Sequence, residues 1–313
     1  MVDVGVVFAS TGGGKIVRAL RSLRKSEPDL PFHVVVDVSS NTWKSNPSLE
    51  WLDGQDNIKI RMVENSAYIN GNLNHAMRWM KELGYSHACL FHDDVIFSPL
   101  AQNRWQLSEW FNKMNKEPDL REASSLSLGF MQIYVPNVWK RSEQEWNNTD
   151  LESETYWQML CPDGIPFADE VVGYVGTDGF KMHSLPDGTD PFPKTNLPFI
   201  VSYSCVKEKR PYTRLGPSGQ IVPISTWELV GGFDEKDGIF YDVEYPAACI
   251  VKGLPPNLLI PNVPHLHLHN QSIGYADLAT GIWSDTMGAF ARKYGEDFWG
   301  KQKSLPTSLG DWK

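Results

Sequence analysis

The first third of the sequence alternates short apolar runs with segments of helical periodicity, and this alternation limits the choice of fold more than any other feature. The apolar runs are of strand length and cover residues 4–9, 32–38, 58–63 and 89–97. Residues 15–25 and 72–83 place their apolar side chains three and four positions apart, as on one face of a helix. Repeated βα units of this kind predict an α/β fold, with a Rossmann-like, mostly parallel central sheet flanked by helices over roughly the first 120 residues.

The middle of the chain has a different texture. Residues 140–200 are rich in Trp, Pro, Gly and Asp and show weak periodicity, which predicts an insertion that either shapes an acceptor site or is simply an irregular subdomain. Regular structure is predicted to resume after it. The segments concerned are 220–225, a helix at 241–252, a strand at 258–269 and a helix at 282–294.

Composition and charge exclude several classes of protein. The net charge of −9 argues against binding to an extended nucleic acid, although a local basic pocket for one nucleotide remains compatible with it. The amino terminus has no basic segment before an apolar one, and no apolar run approaches the ~20 residues of a membrane helix. We therefore expect a soluble, cytoplasmic protein without an integral membrane segment. The four cysteines form no CxxC pair, which favours buried free thiols over a zinc or redox site.

Two adjacent carboxylates, Asp93 and Asp94, stand where the apolar run ACLFH ends. Buried carboxylates cost desolvation free energy unless a cation neutralises them, and open α/β sheets bind ligands at the carboxyl ends of their strands. A hard divalent cation that binds through one or two carboxylates plus substrate phosphates suits this position. An ordinary acidic loop is the alternative.

Three histidines, His265, His267 and His269, alternate with leucines along a predicted strand. This spacing puts all three imidazoles on one face of the sheet, where they are able to supply a metal ligand. Alternatively, only one of the three binds the metal. The other two then either support that histidine without contacting the metal or are simple surface polar residues.

The glycine-rich turn STGGGK is not a phosphate-binding P-loop, because Lys15 is followed by Ile16 rather than by Ser or Thr. It also lacks the GxGxxG spacing of dinucleotide-binding turns, so a tight turn after the first strand explains its glycines. Asp37 ends the second strand, where a carboxylate either accepts hydrogen bonds from a nucleoside or serves as a helix cap.

A third unusual segment runs from Gly231 to Glu244. Gly231 and Gly232 allow the backbone to come close to a ligand. Asp242 and Glu244 stand at the start of a predicted helix. There they either complement the helix dipole, an effect of about 0.3–1 kcal/mol, or one of them acts as a general base.

Taken in sequence order, these segments resemble the family 2 glycosyltransferases with the GT-A fold, over residues 4–135 and 218–272. VGVVFASTGGG resembles the first strand and turn of the family, VVVDVSSN its VVDDGS-like strand end, and ENSAYINGNLNHAM its N-x-G-x-x-x-A-x-N-x-A/G segment. HDD stands at the position of the DxD motif, and GGFDE matches the family's own GGFDE segment nearly verbatim. YDVE stands at the position of the EDxD segment that carries the catalytic base. HLHLH corresponds to the late family His that can complete the metal site.

The resemblance implies a GT-A fold with an irregular acceptor-side insertion. The implied divisions are a nucleotide-binding half (1–135), the insertion (136–217), a catalytic and acceptor half (218–272) and a carboxyl-terminal helix and tail (273–313).

The resemblance also implies roles for individual residues. The nucleotide is expected to contact Ala9, Thr11, Asp37, Asn72, Asn74 and Asp93. Mn²⁺ or Mg²⁺ is expected at Asp94, His267 and His269, and Asp242 is expected to be the catalytic base, with Glu244 as the alternative. The sequence departs from the family pattern at two motifs: His92 replaces the first Asp of the DxD motif, and Tyr241 and Glu244 replace the Glu and the Asp of the base segment.

The implied activity is a metal-dependent, inverting transfer of a sugar from a nucleotide diphosphate sugar to a hydroxyl of a carbohydrate or other acceptor. A UDP-sugar is favoured and a GDP-sugar is the alternative donor. Three other classes stay open: a sugar-phosphate nucleotidyltransferase, a metal-dependent hydrolase built on the histidine strand, and a non-catalytic sugar-binding protein on a degenerate transferase scaffold.

Overall fold

The computed structural model describes residues 2–10, 14–38, 55–64, 68–98, 106–134, 174–176, 179–181, 199–202, 209–212, 219–237, 240–268, 283–296 and 298. The strands are β1 (Val4–Ser10), β2 (Phe32–Asp37), β3 (Ile58–Val63), β4 (His87–His92), β5 (Val95–Phe97), β6 (Leu126–Tyr134), β7 (Tyr174–Gly176), β8 (Gly179–Lys181), β9 (Phe199–Ser202), β10 (Arg210–Tyr212), β11 (Gln220–Pro223) and β12 (Asn257–Leu268). The helices are α1 (Gly14–Ser26), α2 (Tyr68–Glu82), α3 (Leu107–Lys116), α4 (Pro118–Glu122), α5 (Ile224–Val230), α6 (Tyr241–Val251) and α7 (Trp283–Tyr294).

The strands form one mixed sheet whose amino-terminal part is parallel. The order along its main path is β3-β2-β1-β4-β11-β6-β9-β7-β8. β3, β2, β1 and β4 run parallel to one another. β11 is antiparallel to both β4 and β6, while β12 pairs parallel with β6 and antiparallel with β5 and β10. The predicted parallel βα half is therefore confirmed, and antiparallel strands extend it.

Helices cover both faces of the sheet. Successive side chains of a strand point to opposite faces, so β1 contributes to two separate cores. Val6 and Phe8 pack in one core with apolar residues of α1 and α3. Val7 and Ala9 pack in the other with residues of α2, α5 and α6. This arrangement is the doubly wound architecture that the periodicity predicts.

The run at residues 89–97 forms two strands, where the sequence predicts one. β4 ends at His92, and β5 begins at Val95 after the two carboxylates. β4 pairs with β1, whereas β5 pairs with β12. The chain therefore changes its partner strand at the Asp93–Asp94 step. This change carries the acidic pair from the parallel half of the sheet to the histidine-bearing strand.

β12 is irregular at its centre. Its register against β6 shifts between Ile260 and His265, a stretch that contains Pro261 and Pro264. Proline has no N–H to donate to the ladder, so strand prolines are found at edges or bulges. The shift sets the register of the residues beyond it, including His267 opposite Val95 of β5.

α5 is an element that the sequence analysis missed. The segment predicted as regular structure at 220–225 ends as a strand at Pro223, and a seven-residue helix follows directly. Gly231 ends this helix with a φ of 98°, a left-handed conformation that glycine adopts without steric cost. The glycine pair of GGFDE therefore terminates a helix.

Several other expectations concern the interior and the insertion. Cys89 and Cys249 are free and buried, as expected.

Strands β7 to β10 fall within the predicted insertion at 136–217, most of which lies outside the described residues. In the described part of the chain, none of the helices has the length and apolar character needed to cross a bilayer.

Candidate active site

Three side chains capable of holding a metal ion converge at the carboxyl end of β4. One nitrogen of His92, one nitrogen of His267 and one carboxylate oxygen of Asp94 all lie within 4.8 Å of one another. Among the described residues, these three are the His, Cys, Asp or Glu side chains whose donor atoms lie close enough together to share one metal ion. The edge of an α/β sheet at the carboxyl ends of its parallel strands is also where ligands bind.

The pairing of the strands explains how residues so distant in sequence meet. His92 is the last residue of β4, and Asp94 immediately precedes β5. Because β5 is antiparallel to β12 with Val95 opposite His267, Asp94 lies beside that imidazole. The Nε2 atom of His267 is 3.5 Å from Oδ1 of Asp94. The side chains are 6% and 12% exposed respectively, so the pair is shielded from solvent.

The electrostatics of the cluster suit a cation. Burial opposes ionisation of Asp94, but the adjacent His267, together with His92 and Lys15, holds the pKa of its carboxyl well below the usual range. Burial lowers the pKa of His92 to about 4, although Asp94 acts in the opposite direction. An ionised carboxylate and a neutral imidazole are the forms that bind metal ions, so Asp94 and His92 are in the forms that suit a divalent cation at neutral pH.

Two histidines of the HLHLH segment, His265 and His267, lie in β12 and have different surroundings. His267 is in the cluster, while His265 is completely buried and packs against the rings of Phe91 and Phe97, at centroid distances of 5.8 and 5.6 Å. His269 lies outside the described residues. Among the described residues of this strand, His267 is therefore the candidate ligand, and His265 belongs to the core.

The predicted nucleotide-binding residues Asp37, Asn72 and Asp93 lie at the same edge of the sheet. Ser10 at the end of β1 donates a hydrogen bond from Oγ to Oδ2 of Asp93, at 2.6 Å. Asn72 Nδ2 donates to the backbone oxygen of Ser10 at 3.2 Å. Asp37 ends β2, which pairs with β1, and all four residues are largely buried. The structure thus links Asn72 and Asp93 through Ser10 and places Asp37 at the end of the neighbouring strand.

Ala9 and Asn74 make contacts within the fold, and their contact with the nucleotide stays a prediction; Thr11 lies outside the described residues. The methyl group of Ala9 is buried in the α2-side core. The amide of Asn74 donates to Phe233 O and Glu235 Oε1, and its Oδ1 accepts from Trp227 Nε1 and Phe233 N. These four bonds use the full capacity of the amide, so it holds the GGFDE turn against α2.

Replacing Asn74 with Ala is expected to lower the free energy of unfolding by about 3 kcal/mol, since buried groups of Trp227 and Phe233 lose their partner. Urea denaturation measures this change. Asn70→Ala is the matched control on the same helix, because the Asn70 side chain donates to Asp234 O of the same turn but does not bond to Trp227 Nε1 or Phe233 N. Equal destabilisation by the two variants would contradict the role assigned to Asn74.

The two candidate bases on α6 have distinct surroundings. Glu244 is 3% exposed, and its Oε1 accepts hydrogen bonds from Tyr294 Oη and from Lys293 Nζ, the latter at 3.1 Å. Glu244 thereby ties α6 to α7. Asp242 is half-buried in the first turn of α6, next to Tyr241, which contacts His92. Of the two carboxylates, Asp242 is the one adjacent in sequence to a residue in contact with the metal-ligand cluster.

Sequence analysis did not identify His92 as a ligand, nor Tyr241 and Gln220 as its neighbours. Tyr241 Oη lies 3.0 Å from His92 Nε2 and accepts a hydrogen bond of 3.0 Å from Gln220 Nε2. The available signal was the pair of departures from the family pattern, because the His and the Tyr that replace family residues contact each other.

A comparison with protein-family models found no match to this chain, and a comparison with curated proteins found none. Solved structures do match it. S. aureus TarS 1–349 in complex with UDP-GlcNAc superposes with a TM-score of 0.52 at 11% identity, over 97% of this chain and 73% of that one. GalNAc-T7 with UDP, GalNAc and Mn²⁺ superposes with a TM-score of 0.53 at 9% identity, over 98% and 52% respectively. Against a longer S. aureus TarS structure, the chain spans 44% of the length.

These structures are glycosyltransferases with a GT-A-like fold. The comparison confirms the predicted fold class, an α/β architecture with a mostly parallel sheet flanked by helices. Membership of family 2 stays a prediction.

Proposed function

We propose that this chain is a metal-dependent, inverting glycosyltransferase that moves a sugar from a nucleotide diphosphate sugar to an acceptor hydroxyl. The observation that carries the proposal is the grouping of His92, Asp94 and His267 at the ligand-binding edge of the sheet. The named ligands of the structural neighbours support it: UDP-GlcNAc for TarS, and UDP, GalNAc and Mn²⁺ for GalNAc-T7. They favour UDP over GDP as the nucleotide.

The cluster is suited to hold Mn²⁺ or Mg²⁺ through His92, Asp94 and His267. Mg²⁺ prefers oxygen ligands, whereas imidazole is a ligand of transition metals, so two histidines favour Mn²⁺. When bound, a divalent cation would neutralise charge on the leaving diphosphate. The side chains of this cluster are held by strands rather than by loops alone, which preserves their spacing.

Asp37, Asn72 and Asp93 would bind the nucleoside. Asn72 Oδ1 is buried and accepts no hydrogen bond in the described part of the chain, so it offers an acceptor to a ribose hydroxyl or a base N–H. The Asp37 carboxylate at the end of β2 offers further acceptors. Together they would supply polar contacts to a nucleoside bound at the edge of the sheet that holds the cation cluster.

Asp242 would take the proton from the acceptor hydroxyl as the sugar is attacked from the face opposite the leaving diphosphate. It lies in the first turn of α6, where the positive end of the helix dipole complements a carboxylate. Glu244 is occupied by Lys293 and Tyr294, so it supports the helix that carries the base.

A combination of UDP and Mn²⁺ is expected to stabilise the protein more than either alone. A ligand at 100 times its dissociation constant adds about 2.7 kcal/mol, which a thermal-shift assay resolves. GDP with Mn²⁺, and UDP with EDTA, are the controls. A response to Mn²⁺ without a further response to any nucleoside diphosphate would contradict the proposal.

Product analysis tests the chemistry directly. With a UDP-sugar and Mn²⁺, a transferase releases UDP, and the sugar appears on a hydroxyl with inverted anomeric configuration. Release of pyrophosphate from a sugar phosphate and a nucleoside triphosphate would instead identify a nucleotidyltransferase.

A further inference from the structure

We propose that the hydroxyl of Tyr241 is a positioning group that orients the imidazole of His92 and so prepares it to hold the cation. The inference rests on the proposed metal site and adds a residue that no part of the family pattern assigns to it. Tyr241 and His92 are 149 positions apart, and their atoms Oη and Nε2 are 3.0 Å apart.

The first step concerns which nitrogen of His92 faces a cation. A neutral imidazole carries its proton on one nitrogen and a lone pair on the other, and only the lone pair coordinates a metal. Nε2 is already in hydrogen-bond contact with Tyr241, so Nδ1 is the nitrogen left to coordinate. For Nδ1 to coordinate, Nε2 must carry the proton and donate it to Tyr241 Oη, whose second lone pair is able to accept it beside the bond from Gln220.

The second step concerns what holds the Tyr241 hydroxyl in place. Gln220 of β11 donates from Nε2 to Tyr241 Oη at 3.0 Å. Gln220 is 1% exposed and Tyr241 is 3% exposed, so water does not compete for this contact. The ring of Tyr241 also packs edge-on against those of His92 and Phe233, with centroids 5.5 and 5.6 Å apart respectively. The hydroxyl is therefore fixed by both a hydrogen bond and ring packing.

The third step is the connection between the two halves of the proposed site. Tyr241 is the first residue of α6, and the proposed base Asp242 is the next residue. The contact with His92 thus joins the start of the base-bearing helix to the end of β4. Such partners of metal-binding histidines orient the ring, and their loss typically weakens metal affinity 10- to 100-fold.

The test is Mn²⁺ affinity, measured by titration with detection of free Mn²⁺ by electron paramagnetic resonance. Tyr241→Phe keeps the ring and removes the hydroxyl, so its Kd for Mn²⁺ should rise by roughly 10- to 100-fold. Gln220→Met, which removes the donor to that hydroxyl, should give a smaller rise in the same direction. This second variant keeps the proposal testable if the first does not fold.

Tyr245→Phe is the matched control. Tyr245 lies on the same helix, is completely buried, contacts Phe233 at 5.3 Å, and hydrogen-bonds Ser124 O at 3.2 Å through its hydroxyl. Loss of the Tyr245 hydroxyl should lower the thermal stability of the metal-free protein about as much as Tyr241→Phe does. It should leave the affinity for Mn²⁺ unchanged. Equal weakening of Mn²⁺ binding by both variants would show a general structural effect and overturn the proposal.

A double variant shows whether Tyr241 acts through His92. In a His92→Ala background, Tyr241→Phe should cause no further loss of Mn²⁺ affinity, whereas additive losses would contradict the assigned role. If the wild-type protein binds Mn²⁺ and Tyr241→Phe binds it equally, the positioning role is wrong and the proposed function stands. If the wild-type protein shows no saturable Mn²⁺ binding, both are wrong.

Discussion

Asp94→Asn is expected to abolish saturable Mn²⁺ binding and to reduce sugar transfer by roughly 1,000-fold or more. Asp94 is the carboxylate of the cluster, and its surroundings hold its pKa well below the usual range, so it supplies the negative charge that balances the cation. Metal ions contribute several kcal/mol to charge stabilisation in the transition state, and each 1.36 kcal/mol corresponds to a factor of ten in rate. The substitution preserves side-chain shape, so the loss reports on charge.

Calorimetric titration with Mn²⁺ and initial rates with a UDP-sugar measure the two effects. Asp93→Asn is the neighbouring comparison, since the Asp93 carboxylate accepts a hydrogen bond from Ser10 and lies on the predicted nucleotide side. It should weaken nucleotide binding more than it weakens Mn²⁺ binding. Retention of more than about a tenth of the transfer rate by Asp94→Asn would exclude the cluster as the essential metal site, because a loss below tenfold is under 1.4 kcal/mol.

Asp242→Asn is expected to cut turnover by about 10²- to 10⁴-fold while leaving affinity for Mn²⁺ and for the nucleotide nearly unchanged. The amide is unable to accept the acceptor proton, but it has the same shape and remains at the start of α6. Steady-state kinetics at saturating donor measure turnover, and titration with UDP measures nucleotide affinity.

Glu244→Gln is the control for Asp242→Asn. Because Glu244 is buried and bound by Lys293 and Tyr294, its substitution should lower the free energy of unfolding by about 1–3 kcal/mol. Turnover of the folded variant should stay close to that of the wild type. If Glu244→Gln loses turnover as deeply as Asp242→Asn, the assignment of the base is wrong.

The elements that local sequence patterns specify were predicted well. β1, β2 and β3 are runs whose apolar character is evident without knowledge of their neighbours, and α1 has its apolar residues at helical spacing. α2 begins at Tyr68, four positions before the predicted start at residue 72. Its first turn contains Asn70, which hydrogen-bonds to the distant residue Asp234, so tertiary contact extends the helix beyond its periodic part.

The candidate site was predicted in part. Asp94 and His267 were named because a strand-end carboxylate and a row of imidazoles are unusual in themselves. In the sequence, His92 is evident as a departure from the family pattern and not as a ligand, while His267 and His269 are the histidines expected at the metal. The structure separates His265 from His267, because the strand buries the first among aromatic rings and brings the second to Asp94.

By itself, the sequence determined the parallel βα half, the acidic strand end and the candidate base on α6, because each depends on residues close together in the chain. The tertiary structure decided which of these groups meet. The partner change at Asp93–Asp94 and the register shift before His265 position β5 against β12, and the Tyr241 contact spans 149 positions. Such contacts depend on strand pairing and packing between distant segments, which local composition and periodicity do not encode.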